Sequence, residues 1–145
     1  MKAWLGALVV VLASASWVQA ATPAVSGSWV AQTEGVRVAV PGREIHSRAL
    51  RGAAPPDAQI ARISWQYATP PGALLEAWLC HPQRCLRLNG ARGQSEGLAG
   101  LSAAQPLHFR FRLGQDARPV QVNGLQVIVD HRRPAAAKAQ KTVGQ

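Results

Sequence analysis

The stretch WLCHPQRCLRLNG, Trp78 to Gly90, holds the residues of this chain best equipped for chemistry: Cys80 and Cys85, with His81, Pro82, Gln83 and Arg84 between them. Thiols at that spacing serve a metal, a redox couple or a staple. A structural zinc site takes four nitrogen or sulfur ligands. Cys80, Cys85 and His81 supply three at most, and His46, His108 and His131 are scattered along the chain, so no metal is expected. A redox dithiol is normally C-x-x-C at the start of a helix, where the dipole lowers a thiol pKa. Here the spacing is wider and no helix is predicted. A disulfide between Cys80 and Cys85 remains, and it needs an oxidising compartment.

Other catalytic groupings are weak. The seven acidic residues stand singly between Glu34 and Asp130. His46-Ser47 and Asp130-His131 are neighbours in sequence, but adjacent residues of a strand point to opposite faces and make no catalytic hydrogen bond. The glycines of GARGQSEGLAG, Gly90 to Gly100, lack the strand-to-helix context and lysine of a phosphate loop, and read instead as a connection or an irregular edge strand. The chain is therefore expected to be no enzyme and to need no cofactor. Two binding features remain. Trp65 shares a strand face with Ile63 and Tyr67 and belongs to a core, whereas Trp78 lies on the face of Glu76 and Cys80. Arg110 and Arg112, two apart on one strand, form a positive stripe and are the candidate partner-binding residues.

The compartment is written at the start of the chain. Lys2 precedes an uncharged apolar run from Ala3 to Ala15, and Val18-Gln19-Ala20 has the form of a signal-peptidase site. Residues 1–20 are thus expected to be a cleaved signal peptide, and Ser14, Ser16 and Gln19 interrupt the run before it reaches the roughly 20 apolar residues of a spanning helix. No later stretch is apolar enough for an integral membrane segment, so a soluble, exported protein with a bridged Cys80–Cys85 pair is expected. Removing the first 20 of 145 residues leaves 125, one domain's worth. Of the 16 basic residues, Lys2 leaves with the signal and four lie in Arg132 to Gln145, a stretch without acidic, aromatic or periodic apolar residues. That composition predicts a flexible basic tail over 132–145. The basic excess has no recognition helix or aromatic platform beside it, which excludes nucleic acid as partner.

The elements that must position these residues have period two. Ile63, Trp65 and Tyr67 alternate with polar residues, as do Leu107, Phe109, Phe111 and Leu113; Leu125, Val127 and Val129 alternate with Gln126, Ile128 and Asp130, and Val36, Val38 and Val40 with Arg37 and Ala39. Leu74–Leu79 and Leu86–Leu88 read as two short strands around a four-residue hairpin loop, His81 to Arg84, which would set the cysteines about 4.5 to 5.5 Å apart between Cα atoms. Turn signals fall at Pro41-Gly42, Pro55-Pro56-Asp57, Pro70-Pro71-Gly72, Asn89-Gly90 and Asn123-Gly124, and Ser102-Ala103-Ala104 could close one helical turn. Short strands with one apolar face each require a second sheet. The fold class is all-β: a single-domain antiparallel β-sandwich over residues 21–131, Ig-like or similar, with a barrel as the alternative.

The order of several pieces resembles a known family. Gly27-Ser28-Trp29 is followed by ISWQY from Ile63, by AWLCHPQRCLRL from Ala77, by AAQPLHFRF from Ala103 and by NGLQVIVDHR from Asn123. Together, over Gly27 to Arg132, they resemble the flagellar protein FlhE family. The resemblance implies a periplasmic accessory of flagellar assembly at the type III export apparatus. There it would limit proton leakage, or act as a chaperone against premature rod assembly, with export-gate or rod proteins as partners. The residues alone also admit an exported module that binds envelope glycans or anionic polymers.

Overall fold

The computed structural model describes residues 26–134. The expected signal peptide and nearly all of the expected tail lie outside that range. The strands in chain order are β1 (Gly27–Thr33), β2 (Val36–Val38), β3 (Glu44–His46), β4 (Gln59–Ala68), β5 (Leu75–His81), β6 (Arg84–Arg87), β7 (Arg92–Ser95), β8 (His108–Leu113) and β9 (Val120–Arg132). One sheet runs β1-β9-β4-β7, with β2 also on β9; the other runs β3-β8-β5-β6. Every pairing among the named strands is antiparallel and neither sheet closes on itself, so the sandwich is the architecture and the barrel is not.

The period-two pattern places the core. Ile63, Trp65, Leu125, Val127 and Val129 line the inner face of one sheet, and Ala77, Leu79, Phe109, Phe111 and Leu113 that of the other, all buried. Phe109 and Phe111 lie parallel with ring centroids 5.8 Å apart, and Tyr67 reaches across to meet both edge-on. Fully burying each such side chain stabilises the fold by about 1.5–3 kcal/mol. The two deepest indoles keep their donors satisfied: Trp29 Nε1 donates to the Ala103 carbonyl at 3.1 Å and Trp65 Nε1 to that of Gly90 at 2.9 Å.

Four local expectations are corrected. The hairpin loop is two residues, Pro82-Gln83, because His81 already pairs with Arg84 and Cys80 with Cys85. Proline fixes the first turn position, and no non-glycine residue here has positive φ, so an unprimed turn of type I suffices. Asn123-Gly124 is no turn: β9 passes through it with Gly124 at φ 62°, and the register against β4 shifts between Gln66 and Ala68. This bulge faces the break between β1 and β2, where any side chain at Gly35 would collide with Asn123 Oδ1 and the Val122 carbonyl. Val40 lies past the end of β2 and is exposed, since the chain there is turning toward the other sheet. Ser102 makes a bridge to Gln59 rather than starting a helical turn, because its neighbours Leu101 and Ala103 hydrogen-bond along β4. Arg92–Ser95 forms the edge strand allowed for the glycine-rich stretch, and Arg132 is the last residue of β9, paired with Gln59.

Gly52, in the connection from β3 to β4, lies flat against the Trp29 ring, where a Cβ would overlap the indole. Gly52→Ala should therefore lower stability by about 1–3 kcal/mol through overpacking. It should also change the Trp29 environment in fluorescence. A denaturant melt identical to wild type would remove this contact from the account of the core.

Candidate functional site

The expected Arg110 and Arg112 side chains emerge on the outer face of the four-stranded sheet, since β8 sends Phe109 and Phe111 inward. Registration across the sheet sorts this face into rows. One row is Glu44, Arg112 and Glu76; the next is His46, Arg110, Trp78 and Arg87; the third holds His108, Cys80 and Cys85.

Trp78 is the centre of the face. The guanidinium carbons of Arg110, Arg87 and Arg112 stand 4.5, 5.3 and 5.5 Å from its ring. Cation–π attraction of about 0.5–1 kcal/mol each at exposed sites, more where water is excluded, holds such a cluster. The charges are not free. Arg112 Nε donates to Glu76 Oε2 at 2.8 Å, Arg87 lies 3.4 Å from Glu76 Oε1, and Arg110 Nε lies 3.8 Å from Glu44. The hydrogen bond from Arg112 is the main reason the Glu76 carboxyl is held below its usual pKa. The stripe expected from sequence is thus a network in which cations and carboxylates alternate around an indole. Arg110 Nε is buried without a hydrogen-bond partner, so its guanidinium is the least satisfied of the three.

His46 and His108 stand beside Arg110 with ring centroids 5.0 Å apart. Burial is the largest cause of a lowered His108 pKa, followed by repulsion from His46 and Arg110. Sequence reasoning missed this pair because nothing local indicates that β3 lies beside β8. It missed the carboxylate partners Glu44 and Glu76 for the same reason.

Cys80 and Cys85 are bonded, with Cα atoms 4.0 Å apart at facing positions of the hairpin, slightly closer than expected. His81, next to Cys80, points to the opposite face and is buried. Its Nδ1 accepts from the Gln83 amide at 3.1 Å, which leaves Nε2–H to donate to the Ser102 carbonyl at 3.0 Å. Ser47 is likewise consumed, accepting from the Phe109 amide and donating to the Arg48 carbonyl. Asp130 faces out toward Arg62 while His131 is buried inward. Among the described residues no three His, Cys, Asp or Glu side chains converge as metal ligands would.

Comparison with known proteins places these features in company. The family model "Flagellar protein FlhE" matches residues 35–132. A flagellar protein FlhE of Yersinia enterocolitica is 41% identical over 117 residues, covering 74% of this chain and 82% of that protein. One from Salmonella typhimurium is 31% identical over 137 residues, covering 91% of this chain and all of that protein. A crystal structure of FlhE superposes with a TM-score of 0.67 at 27% identity, covering 74% of this chain and 97% of that one.

Two outcomes follow for the staple and the histidine pair. Intact protein should weigh two hydrogens less before reduction than after, and Cys85→Ala should cost about 2 kcal/mol, the entropy of so short a loop, without unfolding the domain. Folded His108 stays neutral at a pH where the unfolded residue, with a pKa of about 6.5, takes up a proton. Its contribution to stability is complete above that pH and is lost as pH falls toward the lowered folded value. Thermal melts should therefore drop between about pH 7 and pH 5 more steeply for wild type than for His108→Gln. Parallel profiles for the two proteins would disprove the assignment.

Proposed function

We propose a function from one premise: this chain belongs to the FlhE family of flagellar proteins. It is a flagellar accessory protein, from a family not known for enzymes, and its disulfide suits a non-cytoplasmic location. In our reading it works in the periplasm as a chaperone. It holds an extended segment of a flagellar rod protein so that rod subunits do not assemble early. The same grip on the type III export gate would limit proton leakage.

The observation that supports a chaperone is the edge formed by β1. Its sequence GSWVAQT has no charge and no proline, and it pairs without a register break along all seven residues of one side. Among the described residues no strand hydrogen-bonds to the other side. The remaining edges, β2, β3, β6 and β7, are three or four residues long and each carries a charged residue. Short, charged edges are guarded against strand addition, and a long neutral one invites it. Trp78 with Arg110 and Arg112 is a second contact in this reading, suited to acidic side chains of the same partner.

Ser28 and Val30 are exposed on β1, so Ser28→Lys with Val30→Lys should leave stability within about 0.5 kcal/mol while guarding the edge. In cells the pair should abolish cross-linking of β1 to rod subunits and let rods form prematurely. Acidification of the cytoplasm without premature rods would favour the gate over the rod as partner. Unimpaired cells with that variant, together with impaired cells carrying Arg110→Gln, would move the binding site to the Trp78 face and overturn the edge reading.

A further inference from the structure

The second sheet face has a chemistry of its own. On the outer side of the five-stranded sheet, a cleft of about 360 Å³ opens over β9, β4 and β7, lined by Ser64, Gln66, Arg92, Gln94, Gln126 and Ile128 among others. Its volume lies within the range of small-molecule sites, about 300–1,000 Å³. Registration aligns Gln32, Gln126, Gln66 and Arg92 in one row across four strands, with Ile128, Ser64 and Gln94 in the next.

The amides are ordered before any ligand arrives. Gln32 Nε2 and Gln66 Nε2 both donate to Gln126 Oε1, at 2.8 and 3.3 Å. In that arrangement the Gln126 amino group is left as a donor, and the Gln32 and Gln66 oxygens as acceptors. Gln94 adds one more of each, Ser64 a hydroxyl, and Arg92 donors that enter no ion pair among the described residues. No carboxylate lines the cleft, and Ile128 supplies an apolar patch.

We propose that this cleft binds a neutral oligosaccharide. A sugar presents closely spaced hydroxyls that both donate and accept, above an apolar ring face, and so matches mixed amides around an isoleucine. An anion would find a single guanidinium here. An apolar ligand would strand the amides without partners, at a cost of about 1–3 kcal/mol for each buried group. An extended peptide pairs through its backbone at sheet edges, and the cleft is on a face. The inference goes beyond the flagellar reading and does not rest on it.

The test is a ¹⁵N NMR titration of the full exported chain with chitotetraose and with maltotetraose, using hexaglutamate as the anionic probe. One of the sugars should shift Ser64, Gln66, Gln94 and Gln126, side-chain amides included, with a Kd of about 0.1–1 mM. Gln126→Ala, which releases both neighbouring glutamines, should weaken binding at least about tenfold. Arg92→Ala, at an exposed edge position, should also weaken it and serves if the first variant is unstable. No shift at about 10 mM of either sugar would overturn the proposal, as would shifts confined to another surface or a cleft that answers only to hexaglutamate.

Discussion

The structure hangs on the last strand. Val120–Arg132 pairs with β1, β2 and β4, so the beginning, middle and end of the described chain meet on one ribbon. Its inward residues Val120, Val122, Leu125, Val127 and Val129 form the spine of the core. β1 and β2 lie on the same side of this strand in one continuous register, interrupted only at Glu34-Gly35, while the bulge at Gly124 shifts the register on the other side, against β4. Without β9, its sheet would keep only the pairing of β4 with β7.

A consequence is that nearly all pairing is distant in sequence. The β5–β6 hairpin is the one pairing between consecutive strands; after β2, every other connection among the named strands crosses between the sheets. Such topologies meet the entropy of loop closure before contacts reward it, and they fold slowly. In that setting an unguarded β1 edge is exposed both before and after β9 is in place.

This topology also explains what the sequence could reveal. Alternation is a local property, so Phe109, Phe111, Ile63, Trp65, Val127 and Val129 were legible as core and the sandwich followed from them. The cysteine pair was legible because both thiols sit in the local hairpin. The neighbours of Arg110 were not, since Glu44, His46 and Trp78 reach it from strands 32 to 66 positions away. The glutamines were hidden for the same reason: Gln32, Gln66 and Gln126 are unremarkable singly and fall into one row, beside Gln94 in the next, only through register. Asn123-Gly124 misled because a bulge and a hairpin turn both use glycine's freedom at positive φ.

The disulfide is best understood by what it holds in place. Closing a loop this short contributes about 2 kcal/mol, little for a domain with so full a core. Its position matters more. β6 is a four-residue edge strand whose exposed arginines give it small reason to stay paired. Bonding Cys85 to Cys80 pins β6 at its first pairs, and two residues further along that register sets Arg87 opposite Trp78. The indole then has Arg110 on the β8 side and Arg87 on the β6 side. With β6 frayed, Trp78 and Glu76 would each lose a cation and the alternating network would open at one end. The staple, read as chemistry at the outset, therefore acts through geometry, fixing the edge of the face on which the charged residues converge.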